Sequence, residues 1–199
     1  MSHVKGSMLI FRWQFLEKQG TREDVEKVLA GLPEDSASLF RAGILAGSWY
    51  PLRHFVHLNR ALDAVLGMGD QSLIWQMGRW SAEAAASGAY RAFSKSGNPA
   101  HIFDHANSVW RQFYDSGHLR VVPHSSAHID LMVEEFDEPA KELCLAVGGW
   151  IERNVELSGV EKVVVSEAQC QVRGDDHCRY SISWSSQPGG GAANPSWTS

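Results

Sequence analysis

Apolar residues recur at three- and four-residue steps through the first half of the chain, and the period changes in the second half. Leu9, Trp13 and Leu16 share one face of a helix expected over residues 8–19. Thr21 opens the run T-R-E-D, an N-cap followed by acids in the first turn. Val25, Val28 and Leu29 carry that helix until Gly31-Leu32-Pro33 stops it. Trp49-Tyr50-Pro51 opens another helical stretch, with Phe55, Leu58, Leu62 and Val65 on one side, and further helices fit residues 72–93 and 98–115. From Leu119 the pattern shortens. Residues 119–122 and 129–133 read as two strands, the second alternating apolar and polar. Pro139 starts a helix whose apolar face is Leu143, Val147, Trp150, Ile151 and Val155, and Ser158-Gly159 ends it. Val163 begins a third strand, and Tyr180, Ile182 and Trp184 alternate along a fourth. The order predicts an α+β fold, a helical N-terminal half and then an antiparallel four-stranded sheet with packed helices.

Composition narrows what such a fold does. At 199 residues one domain is the default, expected over 1–185. Residues 186–199, S-Q-P-G-G-G-A-A-N-P-S-W-T-S, bury too little to order themselves and read as a flexible tail. A net charge of -5 argues against a nucleic-acid partner. No apolar run approaches the roughly 18 residues of a membrane span. Arg12 interrupts the apolar N-terminus and no small-residue cleavage site follows, so a signal peptide is not expected. A cytoplasmic location follows, where clustered cysteines more often hold metal than pair with one another.

The candidate chemistry lies near the end, in S-E-A-Q-C-Q-V-R-G-D-D-H-C from Ser166 to Cys178. A hairpin turning at Arg173-Gly174-Asp175-Asp176 sets Cys170 opposite Cys178, with Cβ atoms about 4.5–5.5 Å apart. Glu167 lies three residues before Cys170, so a regular strand sends it to the other face. A bulge or a turn of helix would bring its carboxylate round. Cys144 sits on the apolar face of the preceding helix, which should pack on the sheet. Three cysteines and a carboxylate make a four-ligand set suited to zinc. Buried cysteines also serve simply as small hydrophobes, and spacing alone leaves both readings open.

The spacing Glu167-x2-Cys170-x7-Cys178, with Cys144 upstream, resembles the zinc site of aromatic-hydrocarbon-sensing domains of phenol- and xylene-responsive transcription regulators. The closing G-D-D-H-C-R-Y-S-I-S is similar to the end of the related 4-vinyl reductase (V4R) domains. Both belong to a wider fold group with the TRAPP vesicle-tethering subunits and the haem-based nitric-oxide sensors. The front half, with K-G-S-M and S-W-Y-P, is similar to a myxobacterial paralogue family of unknown function. The resemblance implies that Cys144, Glu167, Cys170 and Cys178 bind a structural zinc. Four protein ligands leave no open position for water, so metal catalysis is not expected.

The resemblance also implies an apolar cavity beside the metal, in which the relatives anchor a phenol by a histidine and a tryptophan. The tryptophan's place falls near Pro123-His124, a departure from the pattern, and the histidine's in or near His101-Ile-Phe-Asp-His105. Ile102, Ala106, Val109, Trp110 and Phe113 make one apolar helix face with His105 at its edge, the expected pocket wall. An ordinary packed core uses the same residue types. The function expected is a non-enzymatic sensor. It would hold a small apolar or aromatic molecule and signal through a protein partner or as a homodimer, since the chain leaves no room for an output module. The rival is a TRAPP-like interaction scaffold with its cavity filled by side chains.

Overall fold

The computed structural model describes residues 1–86 and 99–185. The expected tail and residues 87–93 of the helix expected over 72–93 lie outside them. The chain opens with strand β1 (His3–Lys5) and turns at Gly6 into helix α1 (Gly6–Gln19). A Cβ on Gly6 would stand 2.1 Å from the Leu45 carbonyl oxygen, so only glycine lets the later loop pass there. Helix α2 (Arg22–Gly31) starts at Thr21 with a reciprocal capping box, Asp24 serving as the third helical residue. Helix α3 (Glu34–Ala42) follows Pro33 and is not evident in the apolar period, being only nine residues long.

Residues Trp49–Pro51 form strand β2, antiparallel to β1, where the sequence suggested the start of a helix. The helix proper, α4 (Leu52–Leu66), begins one residue past the proline and buries Phe55, Leu58 and Leu62 as expected. Helix α5 is Ser72–Ala86. The single helix expected over 98–115 is instead two, α6 (Pro99–Asp104) and α7 (Ala106–Phe113), broken at His105, whose φ of -109° and ψ of 2° leave the helical range. The break lets Phe103 stack on Trp184 while α7 turns Ala106, Val109, Trp110 and Phe113 inward.

Strands β3 (His118–Ser125) and β4 (His128–Glu134), helix α8 (Lys141–Leu157), and strands β5 (Glu161–Gln169) and β6 (Cys178–Ser185) complete the chain. The sheet runs β3-β4-β6-β5, every pair antiparallel. The α+β class and its sheet therefore match the sequence pattern. Helix α8 lies between the two halves, packed on α5 and on β5 and β6. Its approach to α5 is set by glycine. A Cβ on Gly149 would meet the Trp75 carbonyl oxygen at 2.0 Å, and one on Gly78 the Ala146 oxygen at 2.2 Å. Among the described residues no helix is long and apolar enough to cross a membrane.

Candidate functional site

Four side chains converge where α8 meets the hairpin. Cys144 stands in the first turn of α8, buried, its carbonyl accepting a 2.9 Å hydrogen bond from the Tyr180 hydroxyl. The β5–β6 register slips between Glu167 and Gln169, a bulge of the kind that turns a side chain to the other face. Cys170 then precedes a 3-10 turn (Gln171–Arg173), and Gly174 at φ 96° takes the left-handed conformation that reverses the chain. Asp175 accepts the Cys170 N–H at 2.7 Å and so holds the turn shut. Cys178 opens β6.

The ligand atoms of Cys144, Glu167, Cys170 and Cys178 all lie within 4.8 Å of one another. The Cys144 sulfur is 3.6 Å from that of Cys170 and 3.7 Å from that of Cys178. Those distances are far beyond the roughly 2.05 Å of a disulfide, and all three cysteines are free and buried. Glu167 Oε2 meets Arg173 Nη1 at 3.2 Å, while its Oε1 is buried without a hydrogen-bond partner. An orphaned carboxylate oxygen among thiols costs free energy unless something positive meets it. The thiols are unequal. Donation by Cys144 holds Cys178 down at about 7, and the same hydrogen bond pushes Cys144 up. Burial pushes Cys170 up. The hydrogen bond between Cys144 and Cys178 thus favours thiolate at Cys178 over Cys144, and Cys170 donates in turn to Cys144.

The expected pocket wall divides between two interior voids, each with about 30 Å³ of free space. Ile102 and Phe103 line the first, with Ala85 and Asn154. Trp110 lines the second, with Met8, Arg12 and Tyr114. Ala106, Val109, Phe113, Trp150 and Ile151 border both. His105, half-buried at the start of α7, lines neither. A third gap of about 10 Å³ touches Trp110 on one side and Cys144 and Cys178 on the other.

Sequence reasoning treated Arg12 only as an interruption of an apolar run, yet it is fully buried. Its Nε donates to Asn59 Oδ1 at 2.8 Å, and its Nη1 to the Met77 carbonyl at 2.9 Å and to Ser81 Oγ. The guanidinium also lies over the Phe55 ring. The signal was present in the spacing, since Arg12 falls between Leu9 and Leu16 on the inward stripe of α1. Two other side-chain clusters escaped notice. Ser36 Oγ bridges His54 and His57 near Asp35, and His124 and His128 flank Asp130 beside Arg179.

No protein-family model matches the chain, and no curated protein matches its sequence. Solved structures do. An H-NOX protein from S. oneidensis in the Fe(II)NO ligation state aligns with a TM-score of 0.70 at 15% identity, covering 91% of this chain and 99% of that one. The unliganded Fe(II) H-NOX protein from K. algicida aligns at 0.67 and 10% identity, covering 91% and 96%. The Fe(II)CO form of the H-NOX domain from Shewanella oneidensis aligns at 0.61 and 16% identity, covering 91% and 98%. These findings correct two expectations. The likeness found is to H-NOX proteins, with no support for the V4R, aromatic-hydrocarbon-sensing or TRAPP branches, nor for the myxobacterial family suggested by the front half. A tight turn feeding an alternating strand, which G-D-D-H-C-R-Y-S-I-S supplies, suits any antiparallel hairpin and so discriminates poorly. Zinc as the cofactor is also overturned, because the matched proteins are described with iron. At such identities the likeness carries the architecture alone: the chain has the H-NOX fold, the haem-NO-binding fold.

Proposed function

We propose that residues 1–185 form a sensory domain, without catalysis of its own, that takes a small apolar molecule between α1, α5, α7 and α8 and reports it to a protein partner or a second copy. The observation that carries this reading is the pair of apolar voids sharing one wall on α7. Helix α7 is short and separated from α6 by a break, so an occupant that pushed on Val109 or Phe113 would shift a small unit rather than a long helix. Trp110, on the same helix, borders the gap that leads to Cys144 and Cys178. Val147 of α8 borders both that gap and the second void as well, so occupancy and the state of the thiol cluster are joined through two side chains.

In the same reading Cys144, Glu167, Cys170 and Cys178 hold a thiophilic metal ion that staples α8 to the β5–β6 hairpin. Support comes from the orphaned Glu167 Oε1 and from the sulfur spacings. Thiolates on a tetrahedral ion with bonds of about 2.3 Å stand about 3.8 Å apart. Arg173 beside Glu167 offsets part of the negative charge of such a ligand set. Four protein donors leave no position for a reacting water, which makes the ion structural.

The matched proteins' haem chemistry does not carry over easily. A haem needs an axial donor facing a cavity in the range of about 300–1,000 Å³ that cofactor sites occupy. The two voids offer about 30 Å³ each, and among the described residues that line them there is no histidine or cysteine. Tyr114 lines one of them, but burial pushes its phenol up and away from the phenolate a metal would want. The described residues of the two voids do not fit a haem.

Their small volume favours a second reading, an interaction scaffold with a filled interior. Native mass spectrometry of the purified chain separates the two. A bound small molecule, or uptake of one from a panel of short apolar compounds, supports the sensor. A chain that refuses every compound and co-purifies with one protein partner refutes it.

A further inference from the structure

An apolar occupant of the voids leaves Arg12 unexplained. Three of its contacts are to neutral acceptors, and its Nη2 is buried without a hydrogen-bond partner. Among the described residues no carboxylate contributes to its electrostatic surroundings, and the titratable group that does is Tyr114. Burying a guanidinium without a counter-charge is costly, and removing its solvation lowers its proton affinity, here to about 10. A purely structural arginine would be expected to meet a carboxylate or spend all its donors on backbone carbonyls. This one lines a void, with a donor to spare.

Resting on the reading of that interior as a ligand site, we propose that its occupant is a short aliphatic carboxylate, the headgroup on Arg12 Nη2 and the chain running along Ala106, Val109 and Phe113. The void at Arg12, of about 30 Å³, has the volume of roughly one water, enough for a headgroup and little more. The first void lies across the shared α7 wall and is apolar, lined there by Ile102, Phe103 and Leu131. A chain of a few methylenes would enter it by displacing α7 side chains. Tyr114 lines the Arg12 void, and burial keeps its phenol protonated, a second donor for the other carboxylate oxygen. A dianion such as phosphate would require more donors than these two groups offer, and a neutral molecule would leave the guanidinium uncompensated.

The test is calorimetric titration of the full chain with hexanoate and with 1-hexanol at matched ionic strength. Hexanoate should bind about tenfold to a hundredfold more tightly than the alcohol, the range of a charge-assisted hydrogen bond. Tyr114→Phe should weaken hexanoate and leave 1-hexanol unchanged. Arg12→Met should abolish the preference for the acid. Because that variant also loses bonds to Asn59 and Ser81, Ala106→Leu provides the check that keeps Arg12 intact, filling the shared wall and abolishing hexanoate binding. Equal binding of acid and alcohol, or hexanoate binding unchanged in Ala106→Leu, overturns the inference. Binding of 1-hexanol alone overturns it while leaving an apolar sensor standing, and binding of neither compound overturns both.

Discussion

Gly149→Ala tests how the fold brings Cys144 to the hairpin. The added Cβ would stand 2.0 Å from the Trp75 carbonyl oxygen, 2.9 Å from its carbon and 3.2 Å from the Arg79 nitrogen. All three are backbone atoms and cannot rotate aside, so α5 and α8 must separate by more than an ångström. Nothing nearby absorbs the shift. Gly148 faces the Trp75 ring, where a Cβ would approach to 2.2 Å, and Gly78 faces the Ala146 oxygen on the same seam. Overpacking of this kind costs about 1–3 kcal/mol, and a backbone obstacle places it at the upper end. Separation also stretches the 2.9 Å bond from Trp75 Nε1 to Glu152 and the 2.8 Å contact of Arg79 with Glu156, partly exposed interactions that add little. Alanine's better helix propensity returns about 1 kcal/mol. The net loss is about 2 kcal/mol, or roughly 4–8 °C in melting temperature for a chain of this size. Gly31→Ala in α2 is the control, since a Cβ there meets nothing within 4 Å. Thermal and urea unfolding of the parent and both variants would decide. A Gly149→Ala protein as stable as the Gly31→Ala control would show that the helix seam is not held by glycine contacts.

Three further outcomes are expected. Cys178→Ser removes one of four donors and should cost about 3 kcal/mol, a quarter of the roughly 10–16 kcal/mol that a structural metal supplies in small metal-folded peptides; melting within a degree or two of the parent would contradict the staple. Burial first, and for His54 also the adjacent Arg53, hold His54 and His57 below the ordinary imidazole range. The unfolded chain therefore binds protons there that the fold refuses, so their contribution is complete above about pH 6.5 and is lost as pH falls below it. Urea unfolding at pH 7.5 and 5.5 should show that loss, with a shallower slope in His54→Gln, and an equal slope in both proteins would refute it. Light scattering should give about twice 22.0 kDa if the domain signals as a homodimer, and a monomer at tens of micromolar would exclude that route.

The parts of the fold legible in the sequence were those where one period ran long enough to reveal a face. Helix α4 announced itself through Phe55, Leu58 and Leu62, and β6 through Tyr180 and Ile182, because those large apolar residues recur at the helix and the strand period among the buried positions. Helix α3 and the β1–β2 pair were too short to show a period, and β2 depends on a partner some 46 residues away in His3–Lys5. The break at His105 was invisible because the apolar spacing continues across it, and tertiary contacts of Phe103 and Trp184 decide the split. The four-residue cluster was legible since turn chemistry at Gly174 fixes the hairpin and hence the cysteine pair, and the bulge that brings Glu167 round is one of two ways its spacing allowed. The spacing on α1 placed Arg12 on the inward stripe, but not what it meets there, because its partners Asn59, Met77 and Ser81 lie on two other helices. The family reading failed for a related reason. A short motif at a turn is shared by many hairpins, whereas the arrangement of the whole chain, which the H-NOX structures match over nine-tenths of its length, is not written in any one segment.

Metal analysis of the protein as purified, combined with its visible absorption spectrum and intact native mass, bears most directly on the proposed reading, a sensory domain with the H-NOX fold that holds a metal ion at its cysteines and no haem. One transition-metal ion per chain is expected, retained through dialysis, released in Cys178→Ser, and accompanied by no haem absorption. A folded chain that carries no metal, or one that carries a haem in equal amount, would contradict it.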